Sequence, residues 1–214
     1  MKENITLEKG NMDKWMNWAF ELQALAQEGL YYGNGPFDIQ RYERIREIAA
    51  AMISDHTDLP VRKVRDLFCS DVGYVTPKLD SRGAIFKDHK ILLVQEKNGE
   101  WSMPGGWVDP DTSIEENTMK EVWEEAGLRV TADRLVALLD LDKHNAKYHP
   151  FKVIKAFVLC SVAGGHFTEN SETVDSRYFG MDELPALSPD KNTREQVLMC
   201  YEAWKAEHWE TVFD

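Results

Sequence analysis

The chain has 214 residues, three cysteines and a formal net charge of −12, enough length for one large domain, or for a compact domain of about 140 residues with a small appendage. The acidic balance excludes a broad basic surface for nucleic acid; an anionic small molecule stays open if local cations or a metal offset the repulsion. Cys69, Cys160 and Cys200 form no CxxC pair, the start Met1-Lys2-Glu3-Asn4 is polar, and no apolar run reaches membrane length, which excludes a disulfide framework, a zinc site and a membrane span and points to a cytoplasmic protein.

Residues 1–70 read as a helical module. Trp15, Trp18, Leu22 and Leu25 recur at helical spacing, widened by Ala19 and Ala26, with Gly29 as the expected terminator. After the Gly33-Asn34-Gly35-Pro36 break, Asp38 is placed to cap a second helix whose apolar face is Tyr42, Ile45, Ile48, Ala49 and Met52. A short third helix would hold Val61, Val64, Leu67 and Phe68. Aromatic residues at such spacing are usually core, so the module is read as packing, not chemistry. Its Trp- and Leu-rich stripes on a small appendage need covering, which predicts a homodimer.

Residues 71–214 change pattern. Leu79–Phe86 and Ile91–Gln95 are β-rich runs separated by Lys87-Asp88-His89-Lys90, and Asn98-Gly99 signals a hairpin before Trp101-Ser102-Met103. Leu135–Asp142 and Val153–Ser161 read as strands, Gly164-Gly165 ends the latter, and Tyr178-Phe179 marks another. Helices are predicted over 113–126 and over 193–207. The second starts on the capping box Thr193-Arg194-Glu195-Gln196 and buries Val197, Leu198, Tyr201 and Trp204. The fold class is α/β or α+β, a mixed sheet with helices on it.

The segment Gly105 to Leu128 carries the chemistry. Between Gly106 and Glu125 stand seven acidic side chains and one basic one, Lys120. Gly105 and Gly106 allow a backbone path that side chains would obstruct. Ser113 and Glu116 form a capping box that starts the helix in the loop-to-helix segment, and Gly127 stops it. Glu121, Glu124 and Glu125 then share one face at i, i+3 and i+4, with Cβ atoms roughly 5–6 Å apart. Like charges so close repel, and a hard divalent cation relieves them, since carboxylate and phosphate oxygens are what Mg²⁺ prefers. By itself E-x-x-E-E is more often a solvated acidic face; the flanking glycines and capping box shift the balance towards a metal and pyrophosphate platform.

This segment resembles the signature box of the Nudix hydrolases. Gly106, Glu121, Val122, Glu124, Glu125, Gly127 and Leu128 match in register; Thr112 and Lys120 stand where the box has Glu and Arg. The strand and loop Ile91–Glu96 and Trp101–Gly106 are similar to those that lead into the box, and the stretch Glu172-Thr173 with Tyr178-Phe179 and Asp182–Pro185 to the one after the sheet. The N-terminal helices, with Thr76-Pro77-Lys78, are similar to the extension on bacterial members that act on nucleoside diphosphates linked to a group X, such as CDP-choline and ADP-ribose pyrophosphatases.

The resemblance implies a mixed-sheet α/β/α sandwich with a small helical module. It implies a metal-dependent pyrophosphatase using Mg²⁺ or Mn²⁺, with CDP-choline, cleaved to CMP and phosphocholine, as the leading substrate. ADP-ribose hydrolysis, RNA end processing and non-catalytic nucleotide sensing are the alternatives. It assigns Glu121 and Glu125 as main metal ligands, Glu124 as a third or water-mediated one, and the Gly105 carbonyl as a backbone ligand. Glu172 is the candidate further ligand or general base, with Glu169 and Asp175 as rivals. Arg82 is the candidate phosphate partner because guanidinium matches phosphate bidentately, and Trp107 is placed to lie against a base or the X group. Lys143 and His144 read as a solvated loop, and His149 has no assigned role.

Overall fold

The computed structural model describes residues 12–57, 59–145 and 152–214, with the side chains of 12–14 and 67 outside that description; His149 therefore lies outside the described residues. The backbone forms two compact units, Met1–Thr76 and Pro77–Asp214.

Among the described residues, the first unit forms three helices, α1 (Met12–Tyr32), α2 (Pro36–Asp55) and α3 (Val61–Phe68). Gly29 lies inside α1 instead of ending it. A Cβ there would sit 2.3 Å from the Tyr42 ring of α2, so the glycine serves close helix packing. Nor does Asp38 cap α2: the N-cap is Gly35, without a side-chain bond, and Pro36 opens the helix, where its missing N–H costs nothing. The buried stripe is also rotated from the expected one. Met16, Ala19, Ala50, Ile53 and Val64 form the core, while Trp18 (54% exposed) and Leu25 (55%) face outward.

The second unit is a mixed sheet of eight strands: β1 (Lys78–Lys87), β2 (Lys90–Glu96), β3 (Trp101–Ser102), β4 (Gly105–Trp107), β5 (Leu128–Asp140), β6 (Val153–Gly165), β7 (Thr173–Gly180) and β8 (Val212–Phe213). Its order is β3-β2-β1-β6-β5-β8, with β4 also pairing β1 and β7 also pairing β2. β1 and β2 meet through Asp88 and His89, both at positive φ, the conformation that two-residue hairpins require. Strands β5, β6 and β7 run longer than their sequence patterns suggested.

Three helices complete the unit: α4 (Ile114–Ala126), the short α5 (Leu141–His144) and α6 (Arg194–Lys205). Strand alternation sends β1 residues to opposite faces. Ile85, with Val158 and Cys160 of β6, packs under Val122 and Ala126 of α4. Ala84, with Phe157 and Leu159, packs under Val197, Cys200 and Ala203 of α6. The result is the expected α/β/α sandwich. The face of α6 that meets the sheet is the expected Val197 with the small residues Cys200 and Ala203, while the expected Leu198, Tyr201 and Trp204 are half-buried, Trp204 against the same core. Small side chains let the helix sit close to the sheet.

Candidate active site

Helix α4 is fixed at both ends by its own sequence. Ser113 Oγ accepts from the Glu116 N–H at 3.1 Å and Glu116 Oε2 accepts from the Ser113 N–H at 2.9 Å; Gly127 ends the helix at φ 67°. With Val122 and Ala126 in the core, Glu125 is drawn inward (4% exposed), Glu121 is nearly covered, and Glu124 stays at the rim. Asn117 donates to Ser81 Oγ at 3.0 Å and locks the helix onto β1.

The segment Gly105–Trp107, expected as loop, is a short strand. It pairs antiparallel with β1, Gly105 opposite Arg82 and Trp107 opposite Asp80. Gly105 adopts φ 150°, and a Cβ there would lie 2.0 Å from the Ser81 carbonyl oxygen. Its N–H donates to Glu125 Oε2 at 2.9 Å. A Cβ on Gly106 would stand 2.7 Å from Glu121 Oε2. The two glycines thus let two helix carboxylates press against backbone.

These groups line a cavity of ≈ 540 Å³, together with Glu172, Trp107, Arg82 and Lys155. Burial pushes the Glu125 carboxyl up to about 7, with Glu121 and Glu172 adding repulsion against the opposing Gly105 N–H and Arg82. Burial also raises Glu121, with Glu124 adding and Lys120 opposing. Lys120, standing where the box has Arg, reaches Asp109 at 3.0 Å and Glu121 and Glu124 at 3.5 Å each. Its hydrogen bond to Asp109 leads the causes that raise its pKa. The counter-charge to this cation therefore comes from Asp109, while Thr112 serves the turn by donating its hydroxyl to the Asp109 carbonyl at 3.1 Å.

Glu172 is set at the cavity by a small turn. Asn170 Oδ1 accepts from the N–H groups of Glu172 and Thr173 at 2.9 Å each, its amide donates to the Glu124 carbonyl, and Thr173 donates to the Glu125 carbonyl. The rivals lie elsewhere: Glu169 lines a separate depression with Trp123 and Arg129, and Asp175 pairs with Arg177 at 2.5 Å. Trp107 lines the cavity at 44% exposure. Arg82 lines it too, but its Nε and Nη2 fork is turned onto Asp80 at 2.8 and 2.5 Å and is 4% exposed. Burial works to lower the Arg82 pKa, and Asp80 with Glu125 and Glu121 together lift it above its ordinary value. His144 instead pairs with Asp214 at 3.0 Å.

The donor chemistry fits a hard divalent cation: carboxylates of Glu121, Glu124, Glu125 and Glu172 and the Gly105 backbone surround one cavity, in which burial and neighbouring carboxylates disfavour the charge of Glu121 and Glu125. Among the described residues, no three side chains converge into a preassembled metal cluster; a cation would draw the rim carboxylates inward.

Two residues were missed by sequence reasoning. Lys155, on β6, is 2% exposed, donates to the Lys191 carbonyl at 2.6 Å and lines the cavity. Burial lowers its ammonium to about 8, partly opposed by Asp80. Lys191, paired with Glu96, is likewise lowered by burial to about 8. The available signal was a charged residue inside the apolar run Val153–Cys160, since strands buried on both faces read as continuous apolar sequence.

The family model of the NUDIX domain matches residues 77–200. The chain belongs to the Nudix hydrolase family. The model described as the UDP-X-like N-terminal oligomerisation domain matches residues 13–68. A Bacillus subtilis protein provisionally named as an ADP-ribose pyrophosphatase is 38% identical over 202 residues, 94% of this chain and 97% of its own. A crystal structure of an ADP-ribose pyrophosphatase from Streptococcus suis is 56% identical with a TM-score of 0.62, covering 65% of this chain and all of the other. A crystal structure of a UDP-X diphosphatase is 29% identical with a TM-score of 0.61, covering 94% of this chain and 98% of the other. The likeness of this Nudix hydrolase to the Bacillus subtilis protein and to the UDP-X diphosphatase structure runs along 94% of the chain in each case. Among the described residues, no helix is long and apolar enough to cross a membrane.

Proposed function

We propose that this Nudix hydrolase cleaves the diphosphate of a nucleoside diphosphate linked to a group X, giving a nucleoside monophosphate and phospho-X. The observation that carries this reading is the Glu125–Gly105 contact, which seats a buried carboxylate of α4 on a glycine strand at the wall of an acidic cavity. A diphosphate enters such a cavity only with compensating charge. Glu121, Glu124, Glu125 and the Gly105 carbonyl would hold divalent cations, Mg²⁺ or Mn²⁺, and these supply charge neutralisation and acidification of the attacking water. The chain's own residues do the rest. The Gly105 N–H orients Glu125, the Asn170 turn presents Glu172 as proton acceptor at the cavity, and Trp107 offers an indole face to the base or X group.

ADP-ribose leads among substrates, because the relatives named above include ADP-ribose pyrophosphatases along most of their own length. CDP-choline is the second reading, and takes the order opposite to the one the box alone suggested. The half-exposed Trp107 at an acidic wall favours it, since a quaternary ammonium is attracted to an indole face. Intact carboxylates on α4 support catalysis over nucleotide sensing. The helical module of residues 1–70 would join two copies, supported by its outward Trp18 and Leu25 and by the oligomerisation-domain match.

The test is a panel of ADP-ribose, CDP-choline, NADH, diadenosine polyphosphates and short RNA with Mg²⁺ and Mn²⁺. Cleavage of ADP-ribose or CDP-choline at the diphosphate is expected. Failure to cleave any of them with either metal removes the enzymatic reading.

A further inference from the structure

Lys155 is a charged residue where an apolar one would cost less. It stands on β6 in parallel register with Asp80 of β1, and it continues, at i−2, the row whose next members, Phe157 and Leu159, pack under α6. A buried ammonium pays a desolvation cost that the fold must repay by pairing or by use. Pairing is incomplete. An ammonium has three N–H donors. One goes to the Lys191 carbonyl at 2.6 Å, and the nearest Asp80 oxygen, at 3.6 Å, is beyond hydrogen-bond length. Asp80 also accepts from the Arg82 fork, and Asp80 and Asp190 offset the charge of Lys155. Arg82 gives its Nε and Nη2 to the same carboxylate and its Nη1 to the Met103 carbonyl, and Lys155 is the buried ammonium at the cavity wall.

We propose that Lys155 is a substrate-binding residue whose ammonium takes a phosphoryl oxygen of the diphosphate. The cavity then holds its substrate between a carboxylate wall that binds cations and an ammonium wall that binds phosphate directly. This assignment rests on the diphosphatase reading. It selects for compounds with two charged phosphoryl groups over phosphodiesters that carry one. Asp80, 3.6 Å from the ammonium, and the Lys191 carbonyl, 2.6 Å from it, hold it in place.

The test separates binding from turnover. Methylenediphosphonate, a diphosphate that resists hydrolysis, is titrated calorimetrically into metal-loaded wild type and Lys155→Met, whose unbranched side chain suits the apolar strand. At least about a tenfold loss of affinity is expected, as for loss of a charge-assisted hydrogen bond, with a matching rise in KM and a smaller change in kcat. Should the variant not fold, the ¹⁵Nζ resonance of Lys155 in wild type decides. Its titration moves to higher pH on ligand binding if the ammonium meets phosphate. Affinity within about twofold of wild type, or an Nζ titration unmoved by ligand, overturns the assignment. If wild type hydrolyses no nucleoside diphosphate yet loses diphosphonate affinity with Lys155, the diphosphatase reading falls and the phosphate contact stands. If ADP-ribose is cleaved with KM unchanged in Lys155→Met, the reverse holds.

Discussion

Replacing Glu125 by Gln keeps the side chain's shape and its acceptor for the Gly105 N–H, and removes only the charge. In the folded protein burial holds this carboxyl at about 7, against an ordinary value of 4.5. The folded state therefore binds more protons than the unfolded one between those two values, so stability falls as pH rises through this window and the full penalty is in place above it. Roughly 2.5 units at 1.36 kcal/mol each gives about 3 kcal/mol. Screening by solvent removes little of this, because Glu125 is 4% exposed. The Gln variant, freed of cations by chelation, should then be more stable than wild type by up to about 3 kcal/mol at about pH 8, a Tm gain of roughly 6–12 °C. Near pH 4.5 the difference should vanish. Adding Mg²⁺ should raise the wild-type Tm and leave the variant's nearly unmoved, while turnover in the variant drops by about 10³-fold or more. Thermal unfolding across pH, with and without cation, reads all of this. A variant no more stable than wild type at about pH 8, with the same response to Mg²⁺, would refute both the buried-charge argument and the ligand assignment.

Gly105→Ala places a Cβ 2.0 Å from the Ser81 carbonyl at a φ of 150°; urea unfolding should show a loss of more than about 2 kcal/mol, and a loss under about 0.5 kcal/mol would mean the strand shifts freely. Lys120→Ala withdraws a cation from Glu121 and Glu124, so calorimetry should find tighter Mg²⁺ binding with little change in Tm, the ion pair with Asp109 being exposed. Weaker Mg²⁺ binding would instead make Lys120 a support of the carboxylate geometry. Sedimentation of wild type should give a dimer, and Trp18→Glu combined with Leu25→Glu should give a folded monomer; a wild-type monomer at working concentration contradicts the role given to the module.

What the sequence disclosed best was what is encoded locally. Helix α4 was legible end to end, because its capping box, its glutamates at i, i+3 and i+4 and its terminal Gly127 all act within one segment. Strand β4 was not, since Gly105 and Gly106 have poor intrinsic strand preference and owe their pairing to β1, far along the chain. Gly29 misled for a related reason: its lack of a side chain serves the Tyr42 ring of another helix, a contact that local rules cannot register. The stripe of α1 was legible at Ala19 and Ala26 but not at Trp18 and Leu25, which face outward, and that of α6 was legible at Val197 and Trp204 but missed the small Cys200 and Ala203 that sit closest to the sheet. Glu121, Glu124, Glu125 and Glu172, singled out by motif and position, line one cavity. The pairing of Arg82 with Asp80, and the arrival of Lys155 beside them from a strand seventy-odd residues on, belong to sheet register alone.

The central claim is that cation-dependent attack of water on a diphosphate takes place at the carboxylate wall formed by α4 and β4. Turnover of ADP-ribose in ¹⁸O-labelled water with Mg²⁺, followed by mass spectrometry of both products, tests it most directly. Label in the phosphate of one monophosphate product, formed by wild type and lost with both chelation and Glu125→Gln, is the predicted result. Cleavage that survives chelation and Glu125→Gln, or label outside the phosphate, would contradict it.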